Sequence, residues 1–97
     1  MKLDENISAV ISGGASGLGA AVCHKIADFG VKVAIFDQNQ ELGTRVAQKI
    51  NGVFLKVDIS DVELLHKAFD VAREKNGQER ICINCAGIAP AQKTVTN

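Results

Sequence analysis

Gly13, Gly17 and Gly19, with Ser12 and Ser16 among them, make the segment of this 97-residue sequence best suited to hold a phosphate. A glycine-rich turn between a strand and a helix presents backbone N–H groups and the positive end of the helix dipole to an anion. Gly13 can take a turn forbidden to other residues, while Gly17 and Gly19 leave room for a pyrophosphate to approach and for the helix to pack on a sheet. The spacing is Gly-x-x-x-Gly-x-Gly rather than the commoner Gly-x-Gly-x-x-Gly, and many glycine-rich turns serve no nucleotide. Asp37 follows Gly19 by 18 residues and closes an apolar run, where a carboxylate accepts hydrogen bonds from an adenosine ribose. The same charge repels a 2′-phosphate. No Arg or Lys stands at Ala15, Ser16, Gln38 or Asn39 to receive one, so the residues favour NAD over NADP. The plain alternative for Asp37 is a polar strand end at a turn. Asp58 falls on the same carboxyl edge, where ligands of such sheets bind, and its alternative is a loop acid beside a Ser60 cap.

The remaining chemistry-bearing residues make weaker constellations. Cys82 and Cys85 form a C-x-x-C, but a zinc site needs a second ligand pair, and only Cys23, His24 and His66 remain, widely scattered. The motif lies inside the apolar run 81–86, and side chains three apart on a strand point to opposite faces, so the cysteines are expected to be structural. His24 and His66 have no carboxylate or serine partner that would make either a general base. No metal and no catalytic residue is therefore expected. Tyr and Trp are both 0, which excludes a phenol as proton donor. Lys plus Arg (11) balances Asp plus Glu (11), and four Phe are the only aromatics, so the chain lacks the basic excess and stacking rings of a nucleic-acid surface. No apolar run approaches the ~20 residues that span a bilayer. The first residues carry acids where a secretory signal carries bases, so a cytoplasmic protein is expected.

These candidates are positioned by alternating elements. Ser8–Ser12 reads as a strand, followed by a helix on Leu18, Val22, Ile26 and Phe29 that stops at Gly30. A second strand spans Val31–Asp37, and Leu42, Val46 and Ile50 mark a second helix closed by Asn51-Gly52. A third strand spans Val53–Asp58. Ser60 to Glu63 reads as a capping box with Ser60 as the cap, opening a third helix that ends at Asn76-Gly77. The fourth strand is Ile81–Ala86. On the third helix Val62, Leu65, Phe69 and Ala72 are expected to face the sheet. Leu64, Ala68 and Val71 are placed about 180° away, as a stripe for another helix to cover. Alternation of this kind means an α/β fold: a Rossmann-type, doubly wound parallel sheet, here its first βαβαβαβ portion of four strands and three helices. Below 100 residues, with a stripe and a strand edge uncovered, low stability or self-association is expected.

Together, the segment from Ser12 to Gly19, Asp37, Asp58 and Asn84-Cys85-Ala86-Gly87 resemble the short-chain dehydrogenase/reductase family. That family's loop is Thr-Gly-x-x-x-Gly-x-Gly, and its fourth strand ends in Asn-Asn-Ala-Gly. Ser12 replaces the threonine and keeps the hydroxyl; Cys85 replaces the second asparagine. The Asn-Cys-Ala-Gly-Ile-Ala form, with Lys93-Thr94 following, looks most like the type-2 3-hydroxyacyl-CoA dehydrogenases. The resemblance implies that Ser16 and Leu18 hold the phosphate and ribose region of NAD, that Asp37 binds the adenosine ribose, and that Asp58 reads the adenine amino group. It places the backbone of Ile59 on the adenine ring and that of Cys85, Ala86 and Gly87 along the cofactor, with Asn84 steadying the central strands. The family's catalytic serine, Tyr-x-x-x-Lys and helix asparagine have no counterpart here. Residues 1–97 are thus expected to be a partial NAD-binding Rossmann domain without the C-terminal catalytic half, inactive alone. The complete enzyme, by the same resemblance, is a homo-oligomer moving hydride between NAD and a small secondary alcohol or ketone. Two rivals are a non-catalytic nucleotide-binding or interaction module and a methyltransferase using S-adenosylmethionine, against which the Asn-Cys-Ala-Gly strand end argues.

Overall fold

The computed structural model describes residues 2–85. The apolar run of Ser8–Ser12 forms β1, followed by α1 (Gly17–Ala27), β2 (Lys32–Asp37), α2 (Gln40–Ile50), β3 (Val53–Lys56), α3 (Val62–Asn76) and β4 (Ile81–Asn84). All pairings are parallel and the strand order is β3-β2-β1-β4. The chain steps outward from β1 to β3, and α3 then carries it back to the far side of β1. This reversal is the topological switch at whose carboxyl edge sheets of this class bind ligands.

β1 and β2 are apolar at every interior position because both of their faces are covered. Alternate residues go to opposite sides. Ala9, Ile11, Val33 and Ile35 pack with Cys23 of α1 and with Val46 and Ala47 of α2. Val10, Ala34 and Phe36 pack with Ala68 and Ala72 of α3. Phe36, 1% exposed, meets Phe69 edge to face with ring centroids 5.1 Å apart. Beside that pair, α3 is tied to the approach to β4 by Arg73, whose guanidinium donates to both Glu79 oxygens at 2.9 Å.

The α/β architecture is as the alternation predicts, and several boundaries and faces are not. On α1 the buried residues are Gly19 and Cys23, with Val22 and Ile26 packed beside them; Leu18 and Phe29 are exposed. Residues 19, 22, 23 and 26 share a face by the three-and-four rule, and Leu18 lies off it. On α3, Ala68 is one turn from both Leu65 and Ala72 and packs with them on the sheet, so it does not belong to an outer stripe. Val62 is 64% exposed rather than facing the sheet, which leaves Leu64 exposed and Val71 half-buried as the outer apolar pair. The cap of α3 is Asp61, whose carboxylate accepts from Leu64 N–H at 3.1 Å. Ser60 stands one residue ahead of the cap position, and its hydroxyl donates to Asp58 Oδ1 instead. β3 stops at Lys56, opposite the last residue of β2, so Asp58 sits in the turn beyond the strand. β2 begins one residue late, at Lys32, and β4 ends at Asn84; Ala86 lies outside the described residues. Among the described residues no helix is long and apolar enough to cross a membrane.

Candidate functional site

The ends of β1, β2 and β4 are stitched together where the glycine loop begins. Ser12 Oγ donates to Asn84 Oδ1 at 2.7 Å, and Cys85 N–H donates to the Ser12 carbonyl at 2.8 Å. Asn84 therefore does join the two strands on either side of the switch point. Gly13 N–H donates to the Phe36 carbonyl at 2.7 Å, with Gly13 at φ 71°. The loop then turns into α1 through Gly17 at φ 51°, a conformation side chains disfavour. Gly19 is needed for a different reason: a Cβ there would overlap the Gly13 carbonyl oxygen and lie 2.8 Å from Gly14 Cα. The first turn of α1 is thus pressed directly against the loop.

The N-terminus of α1 is left open. Ser16 is its cap residue in extended conformation, but its side chain makes no cap hydrogen bond, and no acidic residue occupies the first turn. By contrast, α2 and α3 are capped by Asn39 and Asp61. Ser16 and Leu18 are both exposed beside this open end.

Asp37, half-buried at the end of β2, accepts Ala15 N–H on Oδ2 at 3.1 Å and Asn39 N–H on Oδ1 at 2.9 Å. It lines a small solvent-open cleft with Gly13, Phe36, Gln38, Val57 and Ile59. The fold therefore brings the loop, Asp37 and Ile59 to one depression. Asp58 is exposed on the same edge, beside Gln38, Lys56, Val57 and Leu64. Its Oδ1 accepts from Ser60 twice, from the hydroxyl at 2.7 Å and the backbone N–H at 3.0 Å. The Ser60 hydroxyl, and secondarily its N–H, hold the Asp58 carboxyl below the ordinary carboxylate range. A carboxyl with a lowered folded-state pKa contributes stability that is full above its ordinary value and is lost as pH falls through the lowered one. Ser60→Ala is expected to move the Asp58 titration upward, read by NMR of its side-chain carboxyl carbon; an unmoved titration contradicts this assignment.

Sequence reading passed over Phe36, Gln38 and Val57 as cleft walls and Ser60 as the group that orients Asp58. The last had a signal, since a serine two residues after an aspartate is the spacing of a local side-chain turn. Cys85 is half-buried at the end of β4 and packs toward α1, while Cys82 lines the opposite, α3-side groove, so the C-x-x-C thiols do face apart. Burial, reinforced by nearby Cys85, pushes the Cys23 thiol up to about 12, which keeps it protonated. His24 and His66 are exposed on their helices. Among the described residues no cluster of His, Cys, Asp or Glu suits a metal. Ala86 and Gly87, expected along the cofactor, lie outside the described residues.

Known proteins are similar to this chain in sequence and in fold. The chain is 35% identical over 92 residues to 3-hydroxyacyl-CoA dehydrogenase type-2 of Drosophila melanogaster, an alignment covering 93% of the chain and 36% of that protein. It is 36% identical over 92 residues to the Homo sapiens protein of the same name, covering 93% of the chain and 35% of the relative. The chain thus spans about a third of the length of these curated relatives. A 3-ketoacyl-(acyl-carrier-protein) reductase from Brucella melitensis, solved with NADH, superposes with a TM-score of 0.76 at 31% identity, over 78% of this chain and 32% of that one. The sequence profile of the short chain dehydrogenases matches residues 8–96, and with the parallel sheet, the glycine loop and the strand-end acid in place, the chain belongs to the short chain dehydrogenase family.

Proposed function

We propose that this chain is the NAD-binding portion of an oxidoreductase that moves hydride between NAD and a secondary alcohol or ketone, with 3-hydroxyacyl-CoA as the substrate class. The observation that carries the cofactor reading is the placement of Asp37, a carboxylate acceptor in the wall of a cleft shared with Gly13, bonded to Ala15 just ahead of the open N-terminus of α1. The loop amides and the uncapped first turn of α1 receive the pyrophosphate. Asp37 accepts the adenosine ribose hydroxyls, Asp58 takes the adenine amino group on its free Oδ2, and the backbone at Ile59 meets the ring. Ser16 and Leu18 flank the phosphates, and Cys85, with Ala86 and Gly87 of the family motif, contributes backbone to the rest of the cofactor. NAD supplies the hydride chemistry; the chain supplies grip and orientation. The close packing of Gly19 on Gly13 fits this use, because only a loop without side chains leaves its amides within reach of a phosphate.

Support for the acyl-CoA substrate class comes from the two type-2 relatives, which carry that activity in their names. With Tyr at 0, the chain holds no phenol to pass the substrate proton, so it is proposed to bind cofactor without turning over. Cofactor choice is testable by calorimetry. Among the described residues no cation lines the cleft, and Lys56, in register with Asp37 on β3, makes no ion pair with it. NAD is expected to bind about ten-fold or more tightly than NADP, since a 2′-phosphate would replace one charge-assisted hydrogen bond by repulsion. Asp37→Ala is expected to erase the preference. Equal or tighter binding of NADP to the unmodified chain contradicts the reading, and turnover of hydroxyacyl-CoA by the chain alone contradicts its dependence on residues outside it.

A further inference from the structure

Asp37 divides its two oxygens between two backbone amides of different origin. Oδ1 serves Asn39, two residues on, and closes the turn into α2. Oδ2 serves Ala15, 22 residues away in the glycine loop. Two other ties bracket that contact: Gly13 N–H to the Phe36 carbonyl, and the first helical bond of α1 from Ala20 N–H to the Ser16 carbonyl. Among the described residues two side chains reach the loop between them: the Cys23 thiol donates a long bond of 3.7 Å to the Gly14 carbonyl, and Asp37 holds Ala15 N–H at 3.1 Å as the charge-assisted anchor. An ionised carboxylate has about four acceptor sites, so two backbone bonds leave capacity on each oxygen for a ribose hydroxyl.

We propose that Asp37 is a positioning residue for the glycine loop: it holds the Ala15 amide, and with it the loop, in binding shape before any ligand arrives. Its ribose role rests on the adenosine reading above, whereas the loop role does not. The loop role makes the second oxygen indispensable. A carboxamide at position 37 has one acceptor oxygen, which the short turn to Asn39 captures, and it would turn an N–H₂ toward the Ala15 N–H. Asp37→Asn therefore keeps the turn and loses the loop.

The test uses the unliganded chain first. A through-hydrogen-bond NMR coupling between the Ala15 amide nitrogen and the Asp37 carboxyl carbon is expected, alongside the one from Asn39. A coupling to Asn39 without one to Ala15 overturns the proposal. In Asp37→Asn the Ala15 amide is expected to exchange with solvent about ten-fold faster, while Asn39 and the strand amides of Ala9 and Val33 keep their protection. Unchanged exchange at Ala15 also overturns it. Titration with ADP and with 2′,3′-dideoxy-ADP then separates the two roles. Asp37→Asn is expected to weaken both, because the dideoxy ligand offers no hydroxyl yet still needs the loop. Weakening confined to ADP leaves Asp37 a ribose acceptor only and overturns the loop role. If neither nucleotide binds the unmodified chain, the adenosine reading fails, and the coupling and exchange results decide the loop role by themselves.

Discussion

Phe36→Ala is expected to cost about 3–5 kcal/mol of folding stability, the range for deleting a buried aromatic. A domain of this size has on the order of 5–15 kcal/mol to lose, so the variant should be largely unfolded at modest urea. Phe36 is the largest of the fully buried side chains, and its ring is the partner that Phe69 of α3 meets edge to face. Arg73 lies 5.3 Å from the centroid of the Phe69 ring on the outer side, so the stack runs from the sheet to solvent. Deleting the inner ring leaves a void under α3 that Ala34, Ala68 and Ala72 are too small to fill. The same residue supplies the carbonyl that holds Gly13 N–H, which couples the core to the loop. Phe69→Leu, at a half-buried position, is expected to cost clearly less. Urea unfolding followed by circular dichroism measures both; a loss below about 1 kcal/mol for Phe36→Ala would place the core elsewhere.

Gly19→Ala is expected to be the most damaging single-atom change to the site. The added carbon meets the Gly13 carbonyl, and both neighbours are backbone, so no flexible side chain can yield. Either α1 moves out or the loop opens. The cost is expected at about 3 kcal/mol or somewhat more, the upper range for overpacking. If the loop absorbs that cost, dinucleotide affinity falls by about 100-fold. Gly17→Ala offers the contrast. Nothing lies within 4 Å of a Cβ there, so only the φ of 51° opposes it, worth about 1–2 kcal/mol. Calorimetry on the pair should rank Gly19→Ala well below Gly17→Ala in affinity. The reverse ranking would mean that backbone conformation, not close packing, shapes the loop.

What was legible in the sequence follows from range. The glycine loop, the two covered central strands and Asp37 at a strand end are local patterns, and each lands where its neighbours in sequence place it. Helix faces were less legible. Leu18 and Val62, read as facing the sheet, are exposed, and Ala68, read onto the outer stripe, is one turn from both Leu65 and Ala72 and packs with them. The α3 cap failed by one residue because Ser60 and Asp61 both suit the role. The helix starts at Val62, which puts Asp61 at the cap, where its carboxylate accepts from Leu64 N–H, and leaves the Ser60 hydroxyl to Asp58. The bond from Ala15 to Asp37 was beyond reach, because it depends on β1 and β2 lying side by side in a given register. The cleft walls Phe36 and Val57 read only as core residues until the strand ends converged. Ala86 and Gly87, proposed to meet the cofactor, rest on the family motif alone.

The central claim is that the carboxyl edge of β1, β2 and β3 is the adenosine site. Its most direct test is to follow the backbone amide resonances of the chain while NAD is added. The account predicts saturable shifts confined to Gly13–Gly19, to Asp37–Asn39 and to Val57–Ser60, with the amino-terminal ends of the strands unmoved. Saturable shifts centred instead on the polar groove between α2 and β3, or no shifts at millimolar NAD, would contradict it.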